Sequence, residues 1–440
     1  MKPFFLLLLS FFISCTLHAQ AYVSYFTGNT GDLITSPKGG ICLMGGATED
    51  DNAMRWFLQQ ANGGDILVLR TTGSNGYNNY LYSDLGIDVH SVETIVCTSP
   101  AAAYHPYVLQ RIAQAEAIWF AGGNQWSYIS TWLNTPADSI INTMIAQRHI
   151  TIGGTSAGMA IQGGFYFSAQ NGTVTSSTAL ANPYHSLVTI DSSHFIAQDV
   201  LREVITDTHF DNPDRKGRLM TFLAKIYEDY GVFAKAIACE EYTAVCIDSS
   251  GTGRVFGGWP ATDDNAYFVS SNCELSQPAP ENCTPGQALT WSRGGMAVKA
   301  CRIRGTANGA NTFSIPNWQG TGNLSWFHWS ANNGVFIEQA GTAPQCIPTA
   351  EQFPSAKSPV HVYPNPFDKQ VFVYTDKMDA STVSIRVVSL QGQIIPIPAV
   401  DVFENGWMLN TQSLAPGIYF LSLFTNGKMY TNQILQKVSE

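Results

Sequence analysis

Between about residue 40 and residue 250, short β-branched and apolar runs alternate with stretches of helical periodicity, and this alternation constrains the fold more than any other feature of the chain. Strand and helix in regular succession is what a parallel sheet requires, because each crossover needs a helix to carry the chain back to the edge it left. Segments 66–69, 94–97, 117–120 and 150–152 read as buried strands. Segments 53–60, 107–114 and 139–148 read as helices between them. A further helix over 219–230 has apolar residues at 219, 222, 223 and 226, and Gly231 follows where it should stop. Glycine pairs follow several strands: Gly45-Gly46, Gly122-Gly123 and Gly153-Gly154. In an open α/β sheet the functional cleft lies beyond the carboxyl ends of the strands, so these glycines are expected where a backbone approaches a substrate.

With 440 residues, 45% of them hydrophobic, the chain can bury more than one core. The 33 acidic residues against 23 basic ones, without a long run of either sign, argue against nucleic acid as a partner. At the N-terminus, Met1-Lys2-Pro3, an apolar stretch from Phe4 to Ile13, and Leu17-His18-Ala19 before Gln20 have the layout of a signal peptide over residues 1–19. Cys15 as a lipoprotein cysteine is the alternative, but Phe12-Ile13-Ser14 lacks the leucine expected three places before it. Elsewhere no stretch approaches the roughly 20 apolar residues of a membrane span.

Export leaves eight of the nine cysteines in a compartment where disulfides persist. Cys273 and Cys283, bracketing a short polar loop, are the expected pair, while Cys42, Cys97, Cys239 and Cys246 in strand-like runs read as small buried hydrophobes. Neither paired CxxC nor HExxH occurs, so no metal or other cofactor is expected.

Beyond residue 255 the helical periodicity gives way to aromatic-rich, glycine-punctuated segments, read as a β-rich extension over 256–340. Trp291, Trp318, Trp326 and Trp329 in it are expected to be buried in a β layer rather than displayed to a ligand. The stretch 341–359 reads as a linker. Residues 360–440, with alternating runs at 370–374, 383–389, 407–409 and 418–424, read as a small β-sandwich.

Chemistry is concentrated in Gly154-Thr155-Ser156-Ala157-Gly158, a GxSxG sequence directly after the strand ending at 152. Small residues around a serine on a tight strand-to-helix turn allow strained dihedrals, expose the hydroxyl, and aim the next backbone N–H at a reacting carbonyl. By itself the motif could equally be a glycine-rich packing turn. A serine nucleophile needs a base and, usually, an acid that orients the base. His90, His105, His149, His185 and His194 sit in ordinary loop or helix-end contexts, whereas His209, in Asp207-Thr208-His209-Phe210, follows the apolar run 204–206 and would stand over the cleft.

Gly153-Gly154-Thr155-Ser156-Ala157-Gly158, Asp207-Thr208-His209-Phe210 with a spaced arginine cluster after it, and the upstream Gly122-Gly123-Asn124-Gln125 together resemble the cyanophycinases and related aspartyl dipeptidases of peptidase family S51. The resemblance covers residues 40–255 and implies a catalytic domain over 20–255. The implied fold is α/β, with a mostly parallel sheet like that of the class I glutamine amidotransferases. It also implies a triad of Ser156, His209 and Glu241, with Glu240 as a solvated neighbour, and an oxyanion hole from the N–H groups of Ala157 and of Gly123 or Gly122. Substrate contacts carry over to Gln125, Asp207, Arg215 and Arg218. Cyanophycin is a polyaspartate with arginine on each side-chain carboxylate. Pro213 stands where the family has another arginine, so the implied substrate widens to a related β-aspartyl or acidic peptide.

The segments Val362-Tyr363-Pro364-Asn365-Pro366-Phe367, Ser389-Leu390-Gln391-Gly392 and Leu414-Ala415-Pro416-Gly417-Ile418-Tyr419 resemble the C-terminal sorting domain of the type IX secretion system of Bacteroidetes. That implies the secretion machinery as a partner and a secreted or surface-attached product, with a homodimer left open. Two rival readings remain. An α/β-hydrolase esterase would need its acid before its histidine, and Asp191 is placed for that. An inactive surface-binding protein would not need Ser156, His209 and Glu241 together.

Overall fold

In the computed structural model, residues 20–192, 195–346 and most of 360–437 are described. The expected signal peptide, His194 and residues 347–359 of the expected linker lie outside the described residues.

The first half of the chain forms β1 (Tyr22–Gly28), β2 (Gly40–Met44), β3 (Asp65–Arg70), β4 (Ser91–Cys97), β5 (Ala117–Phe120) and β6 (Thr151–Thr155). Between them run α1 (Asp51–Gln60), α2 (Pro106–Gln114), α3 (Gln125–Trp132) and α4 (Pro136–Arg148). The expected strands and helices are all present, with ends displaced by a few residues. Helix α1 starts where the Asp50 carboxylate accepts from the N–H groups of Asn52 (2.9 Å) and Ala53 (2.8 Å), satisfying two donors that the helix itself leaves open. Helix α4 starts on capping Thr135 and Pro136 and ends on left-handed His149.

Strands β4, β3, β5, β6 and β2 lie side by side and parallel, with β1 antiparallel at one edge. The carboxyl ends of β2, β3, β5 and β6 therefore open on one side. Phe120, Tyr128, Trp132 and Ile140 pack one face of this sheet, and Phe57 and Trp119 the other, all essentially buried. Gly153 in β6 is required by this packing, since a Cβ there would lie 2.6 Å from the Trp119 ring.

The β-rich segment is not an appendage. A second sheet is built from β7 (Val204–Asp207), β8 (Lys235–Cys239), β9 (Asn265–Ser271), β10 (Val298–Arg304), β11 (Leu324–Asn332) and β12 (Val335–Ala340). Only β7 and β8 in it are parallel. Strands 244–247, 252–256, 312–314 and 319–321 extend the first sheet beyond β2, all antiparallel. Residues on both sides of the expected boundary at 255 thus contribute to both sheets, because β7 and β8 are half-finished without the partners that follow them. Helix α5 (Ala157–Ala160) and helix α6 (Lys216–Tyr230) complete the framework, α6 ending on left-handed Gly231.

Trp291, Trp318 and Trp329 are buried, as expected of a β layer, whereas Trp326 is half-buried. The disulfide differs from expectation. Cys273 bonds Cys346, 73 residues away, and Cys283 is free and buried. The physical reason lies in the chain after β12. Lys299, whose side chain is wholly buried, donates to the carbonyls of Thr342 and Ala343, and the Gln345 N–H donates to Glu274, which brings Cys346 back beside Cys273. Cys283 instead faces the core around Leu289 and Trp291. Cys42, Cys97, Cys239 and Cys246 are buried and free.

The C-terminal residues form two four-stranded sheets. One carries Gln370–Thr375 and Gly406–Asn410, the other Val383–Ser389 and Gly417–Thr425. Val371, Val373, Trp407, Leu409, Leu421 and Leu435 fill the space between them, consistent with the alternation read from the sequence.

Candidate active site

Ser156 follows β6 directly and has φ +51° and ψ −112°, a combination costly for a residue with a Cβ. The turn is pinned by Ser156 N–H donating to the Met44 carbonyl (3.0 Å) and by Ala160 N–H donating to the Ser156 carbonyl (2.9 Å). Two glycines permit it. A Cβ on Gly154 would come 2.8 Å from the Gly158 α-carbon, and one on Gly158 would come 2.7 Å from the Phe120 carbonyl carbon.

The two sheets bring the other groups to the same place. Strands β7 and β8 are parallel neighbours, so the segments after them, 208–209 and 240–241, emerge together. The segment 240–243 then crosses to the strand starting at Ala244, which lies opposite Met44 at the end of β2. His209 Nδ1 lies 2.6 Å from Glu241 Oε1, and its Nε2 lies 2.8 Å from Ser156 Oγ. The histidine side chain is 24% exposed and that of Glu241 19%, so the group is partly shielded yet open to a ligand. Contact with His209 holds the Glu241 carboxyl below its ordinary range, and Asn212 adds to this.

Glu240 corrects an expectation. It is buried rather than solvated, accepting from Asn265 Nδ2 (2.7 Å) and from the Tyr267 hydroxyl (3.0 Å), and burial raises its pKa. Successive residues at the end of a strand point to opposite faces, so one carboxylate enters the second sheet's core while the next meets the imidazole. Asp191, the acid required by an α/β-hydrolase arrangement, belongs to a two-stranded ribbon, and its carboxylate accepts from Ser192 N–H. The acid on His209 is Glu241.

Gly45 and Gly46, expected where a backbone meets substrate, accommodate protein instead. A Cβ on Gly45 would come 2.7 Å from the Cys239 carbonyl oxygen and nearer still to that of Glu240. One on Gly46 would fall 3.0 Å from His209 Cδ2 and closer to Cε1 and Nε2. Gly45 also accepts the His209 N–H at 2.8 Å, and Gly46 accepts the Tyr242 N–H at 3.1 Å. These roles follow from the crossing of two sheets, which no local sequence signal announces.

Gly122 faces the serine, its missing Cβ lying 3.7 Å from Ser156 Cβ, and Gly123, with φ +146°, is exposed beside it. Ala157 is buried at the first position of α5, where its N–H has no helical acceptor. Gln125 opens α3 and donates to the Phe167 carbonyl at 3.2 Å. Arg215 is half-buried at the start of α6 and donates to the Thr208 carbonyl at 2.8 Å; burial and the adjacent Arg218 push its pKa down to about 10. Asp207 and Arg218 are paired with each other, side chains 4% and 3% exposed. Among the other described histidines, His90 meets Asp65, and His105 and His185 accept from backbone N–H groups. Among the described residues there is no cluster of His, Cys, Asp and Glu that could hold a metal, and no helix long and apolar enough to cross a membrane.

Parts of the chain are similar to known proteins. Residues 76–250 match the profile of peptidase family S51, and residues 361–437 that of a secretion system C-terminal sorting domain. Cyanophycinases from Synechococcus elongatus and Thermosynechococcus vestitus are each 25% identical over 256 residues, 55% of this chain and 74% of theirs. That of Geminocystis herdmanii is 27% identical over 170 residues, 38% of this chain and 58% of its own. The crystal structure of a peptidase from an acI-B1 actinobacterium aligns over 53% of this chain and 91% of its own, at 15% identity and a TM-score of 0.39. The chain is a serine-type peptidase whose residues 76–250 match peptidase family S51 and whose residues 361–437 match a secretion system C-terminal sorting domain.

Proposed function

We propose that this peptidase, exported through a type IX secretion system, hydrolyses cyanophycin or a related β-aspartyl or acidic peptide, with Ser156 as nucleophile, His209 as general base and acid, and Glu241 as the orienting carboxylate. One observation carries the reading: a single imidazole bridges Glu241 and a strained serine at hydrogen-bond distance on both sides.

With its proton on Nδ1, donated to Glu241, His209 presents a free Nε2 lone pair to the Ser156 hydroxyl. As Oγ attacks the substrate carbonyl, its proton passes to Nε2, and Glu241 stabilises the imidazolium without taking the proton. The oxyanion receives N–H groups from Ala157 and Gly123, each such donor contributing on the order of 3 kcal/mol in the transition state. Nε2–H then protonates the leaving amine, and water attacks the acyl-enzyme by the same relay in reverse. Gln125 and the guanidinium of Arg215 are the side chains assigned to the substrate's polar groups. Arg215 keeps donors in hand after its one bond to Thr208, and a planar guanidinium suits a carboxylate.

The test is digestion of cyanophycin by the protein lacking residues 1–19. Release of β-aspartyl-arginine, abolished in Ser156→Ala, is expected. Release by Ser156→Ala would overturn the mechanism, whereas phosphonate labelling of Ser156 without polymer cleavage would overturn only the substrate.

A further inference from the structure

We propose that Asp207 and Arg218 do not contact substrate but form a buried clamp that positions His209 against Ser156. The inference rests on the Ser156–His209 reading above and reassigns two residues that the family resemblance places among the substrate contacts.

The guanidinium of Arg218 is already committed. Its Nε donates to Asp207 Oδ2 at 2.9 Å, its Nη2 donates to Asp207 Oδ1, and its Nη1 faces the Val174 carbonyl at 3.3 Å and the Thr173 hydroxyl at 3.4 Å. The rings of Phe167 and Phe222 lie 5.4 and 5.8 Å from its central carbon, so the group is enclosed by aromatic surface as well as hydrogen-bonded. A substrate carboxylate would have to displace Asp207 from a bidentate pair that water scarcely reaches. Arg215, three residues earlier, is the more exposed of the two arginines and makes a single bond.

The pair sits where it controls His209. Asp207 ends β7 two residues before the histidine, and its Oδ1 also accepts the Thr208 N–H at 2.8 Å. The Thr208 carbonyl accepts from Arg215, and the Thr206 hydroxyl donates to the Met159 carbonyl in the short helix that follows Ser156. Each backbone step from 206 to 209 is thereby fastened, ending in the His209 N–H bond to Gly45. Such fastening is needed because His209 has φ +46°, a left-handed conformation that a histidine does not hold unaided. A buried ion pair is a poor source of net stability but a directional one, and direction is what this segment requires.

Labelling kinetics with two serine-directed aryl phosphonates, one neutral and one bearing a carboxylate, separate the two roles. If the pair positions His209, Asp207→Asn lowers the maximal labelling rate on the order of tenfold for both reagents. The half-saturating concentrations and the acidic-to-neutral rate ratio stay as in the wild type. Arg218→Lys, which keeps the charge and loses the fork, gives the same pattern and decides the matter should Asp207→Asn not fold. Loss confined to the acidic reagent, or carried by its half-saturating concentration, would return the pair to substrate binding and overturn the proposal. Wild-type kinetics in both variants would overturn it too. A wild-type protein labelled at Ser156 by neither reagent would overturn the Ser156–His209 reading itself, and the clamp with it.

Discussion

Gly46→Ala is the substitution with the largest calculable consequence for its size. The added methyl would come within 3.0 Å of three atoms of the His209 ring, where an ordinary contact needs 3.4 Å or more, and Gly46 has φ +124° besides. The ring cannot be spared by moving the backbone, because Gly46 is held by Tyr242 N–H, and Gly45 before it by His209 N–H and Thr243. The imidazole must therefore retreat by about 1 Å, which opens the bond to Ser156, and a displacement of that size costs on the order of a hundredfold in rate. The backbone conformation adds about 1–3 kcal/mol of destabilisation, visible as a lowered Tm. The assay is peptidase turnover or phosphonate labelling of the folded variant, beside His209→Ala and the double variant. If the methyl acts through the imidazole, the double variant is no slower than His209→Ala alone, since groups acting as one unit do not add. Gly46→Ala at the wild-type rate, or a double variant slower by the product of the two effects, would refute the reasoning.

Other outcomes follow from the same contacts. Glu241→Gln should reduce turnover by about 10²–10⁴-fold with little loss of stability, whereas Glu240→Gln should lower Tm, by about 1–3 kcal/mol of folding free energy, because Asn265 and Tyr267 both donate to that carboxylate; steady-state kinetics and thermal melts of the two variants check both halves. The two carboxylates also carry opposite pH signs. The folded-state pKa of Glu241 is lowered, so its contribution to stability is full above the ordinary carboxylate range and is lost as pH falls through the folded value. That of Glu240 is raised, so its contribution is full below the ordinary range and is lost as pH rises through the folded value. Melts from pH 3 to 8 should accordingly show the small Tm deficit of Glu241→Gln vanishing only at the acid end. Replacing Cys273 and Cys346 by serine reopens a loop of 73 residues, which should cost about 4 kcal/mol by chain entropy, measured by denaturant titration without reductant.

What was legible in the sequence was what is local. Segment 150–152 before a glycine-rich turn announces both a buried strand and an exposed serine, because the requirement for small residues is met within six positions. The distance between Ser156 and Glu241 along the chain hides the rest. His209 and Glu241 become neighbours through the parallel pairing of β7 with β8, strands that belong to a different sheet from the serine. The place of His209 after the apolar run 204–206 was a local hint, but only a family resemblance pointed to Glu241 in advance. Local text could not separate Glu240 from Glu241, since strand alternation assigns them to opposite faces only once the sheet to which they belong is known. The disulfide was misread for a related reason: a short polar loop suggested Cys283, whereas the return of the chain over buried Lys299 selects Cys346. The glycines at 45 and 46 were recognisable as places of close approach, and the approaching groups proved to be the Cys239–Glu240 backbone at Gly45 and the histidine ring at Gly46.

The central claim is that His209, held by Glu241, activates Ser156, and peptide mapping by mass spectrometry after phosphonate treatment tests it most directly. The account predicts one adduct, on the peptide containing Ser156, formed rapidly in the wild type and in Glu240→Gln but slowed by orders of magnitude in His209→Ala and Glu241→Gln. An adduct on a different serine, or equal labelling of Ser156 in wild type and His209→Ala, would contradict it.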